Sequence, residues 1–240
     1  MATRLYIGDS SKTPAIVKIE EIAKTKYGAS IDTLIGDVNE NGVLQSSTIP
    51  TALNFAGVTE IGQKALYYAF YGHIGITSVD LSSLQNIDKL GMPYAFYDCL
   101  GITSVDLSSL QSVGSSGMRC AFCWCQGITS VDLSSLQSIG YSGLDNAFEY
   151  CTGITNVDLS SLQSVGEDGL YYAFYGCKGI TAISFPSLTS VQTNSFSSTF
   201  YGCTALTEIH FRADMQATIE TLSDYSSKFG ATNATIYFDL

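Results

Sequence analysis

Two histidines, seven cysteines and one run of oxygen-bearing side chains are the residues of this 240-residue chain whose types could amount to a chemical site. The run is Asp37-x-Asn39-x-Asn41-Gly42-x-Leu44. It has the ligand order of the first half of a calcium-binding loop: oxygens at positions 1, 3 and 5, glycine at 6 and an apolar residue at 8. Position 12 should supply a bidentate carboxylate and is Thr48. Asn-Glu-Asn-Gly is also good turn chemistry in its own right, and a plain turn is the favoured reading over a weak calcium site at Asp37, Asn39 and Asn41. Cys120-x-x-Cys123-x-Cys125 suggests zinc, but no histidine is near in sequence and a tetrahedral site lacks its fourth ligand. His210 shares a strand position with Asp158 and Ser184, on successive rungs. A hydrolytic triad needs the imidazole between the other two groups, and here the serine holds the middle. No Walker loop, no G-x-G-x-x-G after a strand and no H-E-x-x-H is present. The chain reads as a non-enzyme, with no catalytic residue and no cofactor.

What positions these residues is a repeat. Gly75, Gly101, Gly127, Gly153 and Gly179 open successive copies, each 26 residues after the last. A fixed period of that size marks a solenoid. Within one copy, Val105 and Leu107 alternate with Ser104, Asp106 and Ser108, the period of a strand with one buried face. Met118, Ala121, Phe122 and Cys125 follow at i, i+3, i+4 and i+7, the stripe of a short amphipathic helix. Gly114 and Gly117 lie between the two patterns, where the chain must turn. Each copy therefore reads as strand, turn, two-turn helix and loop, and no such unit can bury its own apolar face. Stacking solves this, because every inward position meets its equivalent one rung on. Val79, Val105, Val131, Val157, Ile183 and Ile209 make one column, and Phe70, Phe96, Phe122, Phe148, Phe174 and Phe200 another. The strands should form one parallel sheet, about 30 Å long at roughly 4.8 Å per strand.

The pattern L-x-x-V-x-L-x-x-L-x-x-I-x-x-x-x-L-x-x-A-F-x-x-C resembles the BspA-type leucine-rich repeats. Ile102, Val105, Leu107, Leu110, Val113, Ala121, Phe122 and Cys125 carry the likeness in one copy, and it covers about residues 53–212. That family's repeats are usually shorter, with Ile-Pro where this chain has Leu-Ser; Phe185-Pro186 has the usual form. The resemblance implies a right-handed α/β horseshoe with one parallel sheet and short helices on the opposite face. It also implies a recognition or adhesion role at a bacterial surface, and it transfers no catalytic residue.

Two surfaces of such a solenoid could bind a protein or a glycan. The strand face carries Asp80, Asp106, Asp132 and Asp158 in one column, flanked by serines. Carboxylates about 5 Å apart repel and can recruit cations or basic groups; the plainer reading is a solvated face hydrogen-bonded to those serines. The helix face is where copies differ. Its outward sites are Tyr67, Tyr68, Tyr71, Tyr94, Tyr97, Trp124, Tyr150, Tyr171, Tyr172, Tyr175 and Tyr201, with Arg119 and Glu149 among them. Rigid amphipathic rings suit recognition, although tyrosines can also simply cover one another. Cys99, Cys125, Cys151, Cys177 and Cys203 form an inward column, read as reduced thiols acting as small hydrophobes, and Cys120 and Cys123 are read as outward.

The net charge is −11 with only 11 Lys and Arg, which argues against nucleic acid and anionic membranes. No apolar run reaches the roughly 18 residues of a membrane span, and the start lacks the positive-then-apolar layout of an export signal. Residues 1–50 fall outside the repeat and are expected to cap it. Arg4–Gly8 and Ala15–Ile19 suggest a hairpin, with a helix from the second half ending near Gly28 as the alternative, and Ser30–Ile35 a capped helix. The segment also resembles the starts of phage structural proteins, through Arg4–Gly8 and the run Leu34–Leu44, so a virion scaffold is the alternative reading. Residues 51–212 hold the repeats, and 213–240 should close them with a helix through Met215, Ile219, Leu222 and Phe229 and a strand at Ala234–Phe238.

Overall fold

The computed structural model describes residues 3–5, 51–55 and 57–240. The calcium-type loop at Asp37, Asn39 and Asn41, the expected strand Ala15–Ile19 and the helix at Ser30–Ile35 lie outside the described residues.

The chain is a parallel β-solenoid in which successive rungs stack in register. Val79, Val105 and Val131 are register partners on neighbouring strands, as are Asp80, Asp106 and Asp132. Their inward side chains join one continuous core with Leu107, Leu110, Phe122 and their equivalents. The phenylalanine column stacks ring on ring: Phe70–Phe96 at 5.2 Å, Phe96–Phe122 at 5.1 Å, Phe122–Phe148 and Phe148–Phe174 at 5.6 Å, and Phe174–Phe200 at 6.2 Å, all within 9° of parallel.

Among the described residues the single expected sheet is replaced by three. The expected ladder splits into a five-stranded sheet (Ala52–Asn54, Ser78–Asp80, Ser104–Asp106, Ser130–Asp132, Asn156–Asp158) and a three-stranded one (Ala182–Phe185, Glu208–Phe211, Thr235–Phe238). The break falls at the rung that carries Phe185-Pro186. A further sheet of seven strands runs beside them, with pairs such as Asn86–Ile87, Ser112–Val113, Ser138–Ile139 and Ser164–Val165. Its strands are mostly two residues long, too short to show a period of two. Thr3–Leu5 joins this sheet parallel to Val58–Ile61.

The expected helices are replaced by turns. Met118, Ala121, Phe122 and Cys125 are fully buried, as the stripe requires. The backbone that carries them is not helical: Ser116, Cys120 and Trp124 have φ of 52°, 51° and 66°. Donors alternate in direction. The N–H groups of Met118, Cys120, Phe122 and Trp124 reach carbonyls of the next rung at 2.7–2.9 Å, while those of Ala121, Cys123 and Cys125 close turns within their own rung at 2.9–3.4 Å. The reason is spacing. Packed helices need about 8–10 Å between axes, whereas rungs joined by strands repeat at about 4.8 Å. A turn with a left-handed residue at every fourth position keeps the i, i+3, i+4, i+7 stripe and fits that spacing.

At the C-terminal end the inward residues are those expected, but the single helix is broken. A short helix, Gln216–Ile219, follows a 3-10 turn at Ala213–Met215, and a second 3-10 stretch, Tyr225–Gly230, bends at left-handed Lys228 and Phe229. Buried Phe229 packs against Phe196 at 5.3 Å and Phe211 at 6.1 Å. Thr235–Phe238 then pairs parallel to Glu208–Phe211.

Candidate functional site

The turn side gathers most of the aromatic residues singled out from the sequence. Tyr68 stacks on Tyr94 at 4.6 Å and Tyr71 on Tyr97 at 4.7 Å, within 7° of parallel. Tyr67 leans edge-on against Tyr68 at 4.7 Å. A second group holds Trp124 against Tyr150 at 4.3 Å, Tyr171 against Tyr172 at 4.3 Å, and Tyr175 against both Tyr150 and Tyr201 at 4.9 and 5.2 Å. Tyr67 and Tyr201 remain 42% and 53% exposed, and the other rings are half-buried or show an edge. Partial burial pushes the Tyr97 and Tyr171 hydroxyls up to about 12, so these phenols stay neutral donors through the physiological range. Tyr141 is also exposed, at 54%. The sequence reading missed it because it stands next to Gly140, outside the apolar stripe.

Between the two aromatic groups lies a polar cluster. Cys120 and Cys123 take the column positions of Tyr94 and Tyr97, and Asn146 and Glu149 follow one rung on. Both cysteines are buried, which corrects the outward expectation. Cys123 Sγ donates to Glu149 Oε2 at 3.1 Å, and Arg119 Nε pairs with Asp145 Oδ2 at 3.2 Å. The cysteine column behaves differently. Cys99, Cys125, Cys151, Cys177 and Cys203 each donate Sγ–H to the backbone carbonyl of a phenylalanine on the preceding rung, at 3.0–3.2 Å. Burial pushes all five thiols up, which keeps them protonated.

On the strand side the aspartates close local turns. Asp80 Oδ1 accepts from the Ser82 N–H at 3.0 Å and its hydroxyl at 2.6 Å; Asp106 does the same with Ser108 at 3.0 and 2.7 Å. Asp132 and Asp158 accept the N–H of Ser134 and Ser160 at 2.9 Å. These are Asx turns, in which the carboxylate organises the corner after each strand. Among the described residues no group of three or more His, Cys, Asp or Glu is placed to hold a metal ion.

His210 is engaged by carboxylates. Its Nδ1 lies 2.8 Å from Asp239 Oδ1 and its Nε2 3.5 Å from Glu208 Oε2, and the ring stacks on Tyr237 at 4.8 Å. Its register neighbours are Ser184 and Tyr237, while Asp158 sits in another sheet, so the Asp-Ser-His row does not form. The hydrogen bond to Asp239 raises the His210 pKa above its ordinary 6.5. A raised folded-state value means that the stabilisation is complete below the unfolded pKa and disappears as pH rises through the folded one. The stability difference between wild type and His210→Gln should therefore be about 0.5–1 kcal/mol at pH 5.5 and shrink toward zero above pH 8. Urea unfolding at the two pH values checks this, and a gap that widens with pH would contradict the assignment.

Among the described residues no helix is long and apolar enough to cross a membrane. No curated protein matches the chain. Among solved structures, the crystal structure of a leucine rich cell surface protein from Faecalibacterium prausnitzii A2-165 is similar at 19% identity and a TM-score of 0.40, over 73% of this chain and 51% of that one. The chain thus spans about half the length of that protein. The family model for the BspA type leucine rich repeat region matches in six copies, over residues 44–168 and 118–229. With the repeat columns stacked as the family pattern requires, the chain belongs to the BspA-type leucine-rich repeat family.

Proposed function

We propose that the protein is a non-catalytic recognition or adhesion module whose turn-side aromatics contact a protein or a glycan. One observation carries this reading. Tyr68, Tyr94, Trp124, Tyr150 and Tyr172 occupy left-handed backbone positions, with φ between 49° and 66°. A non-glycine residue there costs roughly 1–2 kcal/mol. The fold does not require an aromatic at these places, because Asn146 and Ser198, or Gly72, Gly176 and Gly202, fill equivalent positions on other rungs. The left-handed conformation is set by the rung spacing, so what these rungs add beyond the fold is rigid aromatic surface, the kind suited to recognition. The family implies recognition at a surface, and neutral phenols with exposed edges suit sugar faces or a polar protein surface. The strand-side aspartates serve the fold, since each is committed to its own turn.

Mutual stacking of Tyr68 with Tyr94 and of Tyr175 with Tyr201 favours a second reading, a spacer or virion scaffold whose tyrosines satisfy one another. Glycan and protein arrays separate the two. Once a binder is found, replacing Tyr171, Tyr172 and Tyr175 together by serine should weaken it by about thirtyfold or more, the loss of roughly 2 kcal/mol expected from an aromatic anchor. Unchanged affinity would remove the aromatic face, and silence on every array would favour the spacer.

A further inference from the structure

The polar cluster between the aromatic groups has chemistry that neither recognition nor packing uses. Cys120 and Cys123 are the ends of a four-residue turn, closed by the Cys123 N–H on the Cys120 carbonyl at 3.4 Å. Such a turn holds its terminal Cα atoms within about 7 Å, and disulfides span up to about 6.8 Å. Cys123 Sγ–H is held by Glu149 at 3.1 Å, and Tyr94 of the preceding rung and Arg119 lie beside Cys120. Access is unequal. Cys120 keeps 7% of its surface and Cys123 1%, while the column thiols are sealed against backbone carbonyls.

We propose that Cys120 and Cys123 form a reversible dithiol–disulfide site that exchanges with low-molecular-weight disulfides, with Cys120 as the attacking sulfur and Cys123 as the resolving one. The groups facing the pair fit these roles. The neighbouring Cys123 and Tyr94 side chains, with Arg119 beside them, draw the Cys120 thiol below its usual pKa against the opposing effect of burial and of Asp145. The neighbouring Cys120 sulfur, burial and the Glu149 carboxylate push Cys123 well above its own. The thiolate is the nucleophile in exchange, and the partner must stay protonated until its step. In the first step Cys120 S⁻ attacks one sulfur of a small disulfide RSSR. A Cys120–S–SR bond forms, and the second sulfur leaves as RS⁻. In the second step Glu149, 3.1 Å from Cys123 Sγ, accepts its proton. Cys123 sulfur then attacks Cys120 sulfur and expels the second RS⁻, which takes up the proton. Two electrons pass from the cysteines to RSSR, giving one cystine, one thiol and one thiolate, the thiolate of the first step, which takes its proton from water; a reducing thiol reverses the sequence. This does not depend on the aromatic face binding anything.

The test is equilibration of the full chain, under native conditions, with graded ratios of oxidised to reduced glutathione, followed by acid quench, alkylation and peptide mass mapping. A disulfide confined to Cys120–Cys123, with the other five thiols free, is the expected product. Cys123→Ser should instead accumulate a glutathione adduct on Cys120, and Cys120→Ser should give neither species. Wild type that stalls as the Cys120 adduct, or that oxidises first in the Cys99–Cys203 column, would overturn the proposal. Should a variant fail to fold, the wild type alone decides through its order of alkylation by iodoacetamide. Cys120 should react at least about tenfold faster than any column cysteine, with a half-rise below the roughly 8.5 of a free thiol. Alkylation that begins elsewhere, or only on unfolding, counts against it.

Discussion

Alanine at Gly101 is expected to destabilise the protein by about 3 kcal/mol or more, whereas alanine at Gly75, which opens the equivalent repeat, should be neutral or slightly stabilising. Both glycines begin the same Gly-Ile-Thr motif, so sequence alone treats them alike. A Cβ on Gly101 would lie 2.3 Å from the carbonyl oxygen of Ile74 and 2.7 Å from that of Ile76, both backbone atoms of the preceding rung. On Gly75 it would meet nothing within 4 Å. Overpacking commonly costs about 1–3 kcal/mol, when side chains can shift aside. Here the obstacle is backbone, held by the Thr103 N–H bond to the Thr77 carbonyl at 2.9 Å, so relief means parting two rungs. At Gly75 the remaining effect is the lower entropy of the unfolded chain, worth about 0.4–1 kcal/mol in favour of folding. Gly127, Gly153 and Gly179 meet carbonyls at 2.6–2.7 Å and should behave like Gly101. Urea unfolding of the two variants side by side decides the matter, and equal midpoints would refute the close approach of rungs.

The columns were legible because an inward position in a stacked array is selected by the same neighbours on every rung. Val105, Leu107, Phe122 and Cys125 could therefore be placed inside from the period alone. The backbone path could not. A helix and a run of four-residue turns with one left-handed member put side chains on the same side at the same spacing. Only the distance between rungs decides between them, and that distance is not written in one repeat. The second ladder was hidden for a related reason, since Ser112-Val113 is too short to alternate. Of the surface residues, Tyr68, Tyr94 and Tyr172 were found because they interrupt a conserved-looking frame with large rings. Cys120 and Cys123 were misplaced by the same logic: a position that varies between rungs was taken as outward, yet both thiols there are buried. The aspartate column and its flanking serines were visible, and the structure joins them at the corners, each carboxylate accepting from the serine at i+2.

Phe122→Ala should cost about 3–5 kcal/mol, the range for removing a fully buried phenylalanine when its surroundings relax only in part. The ring has no exposed surface and sits between Phe96 at 5.1 Å and Phe148 at 5.6 Å, so the gap interrupts the column on both sides. Collapse is obstructed, because moving either neighbour inward breaks the bonds of Phe96 N–H to the Ala121 carbonyl and Phe122 N–H to the Ala147 carbonyl, at 2.8 and 2.9 Å. In a one-dimensional array, stability is roughly a sum of rung terms and nearest-neighbour contacts. A defect in the middle should then uncouple the two halves, so unfolding becomes broader as well as earlier and the denaturant slope falls. The same change at Phe70 removes one stacked neighbour, Phe96, and an edge contact to Phe55 at 6.4 Å. It should lower the midpoint less and leave the slope nearly intact, because rungs beyond it stay joined. Denaturant curves followed by tyrosine fluorescence and by circular dichroism distinguish these outcomes. Equal losses at Phe70 and Phe122 with unchanged slopes would mean that the chain unfolds as one globule, and the nearest-neighbour account of its stability would have to be given up.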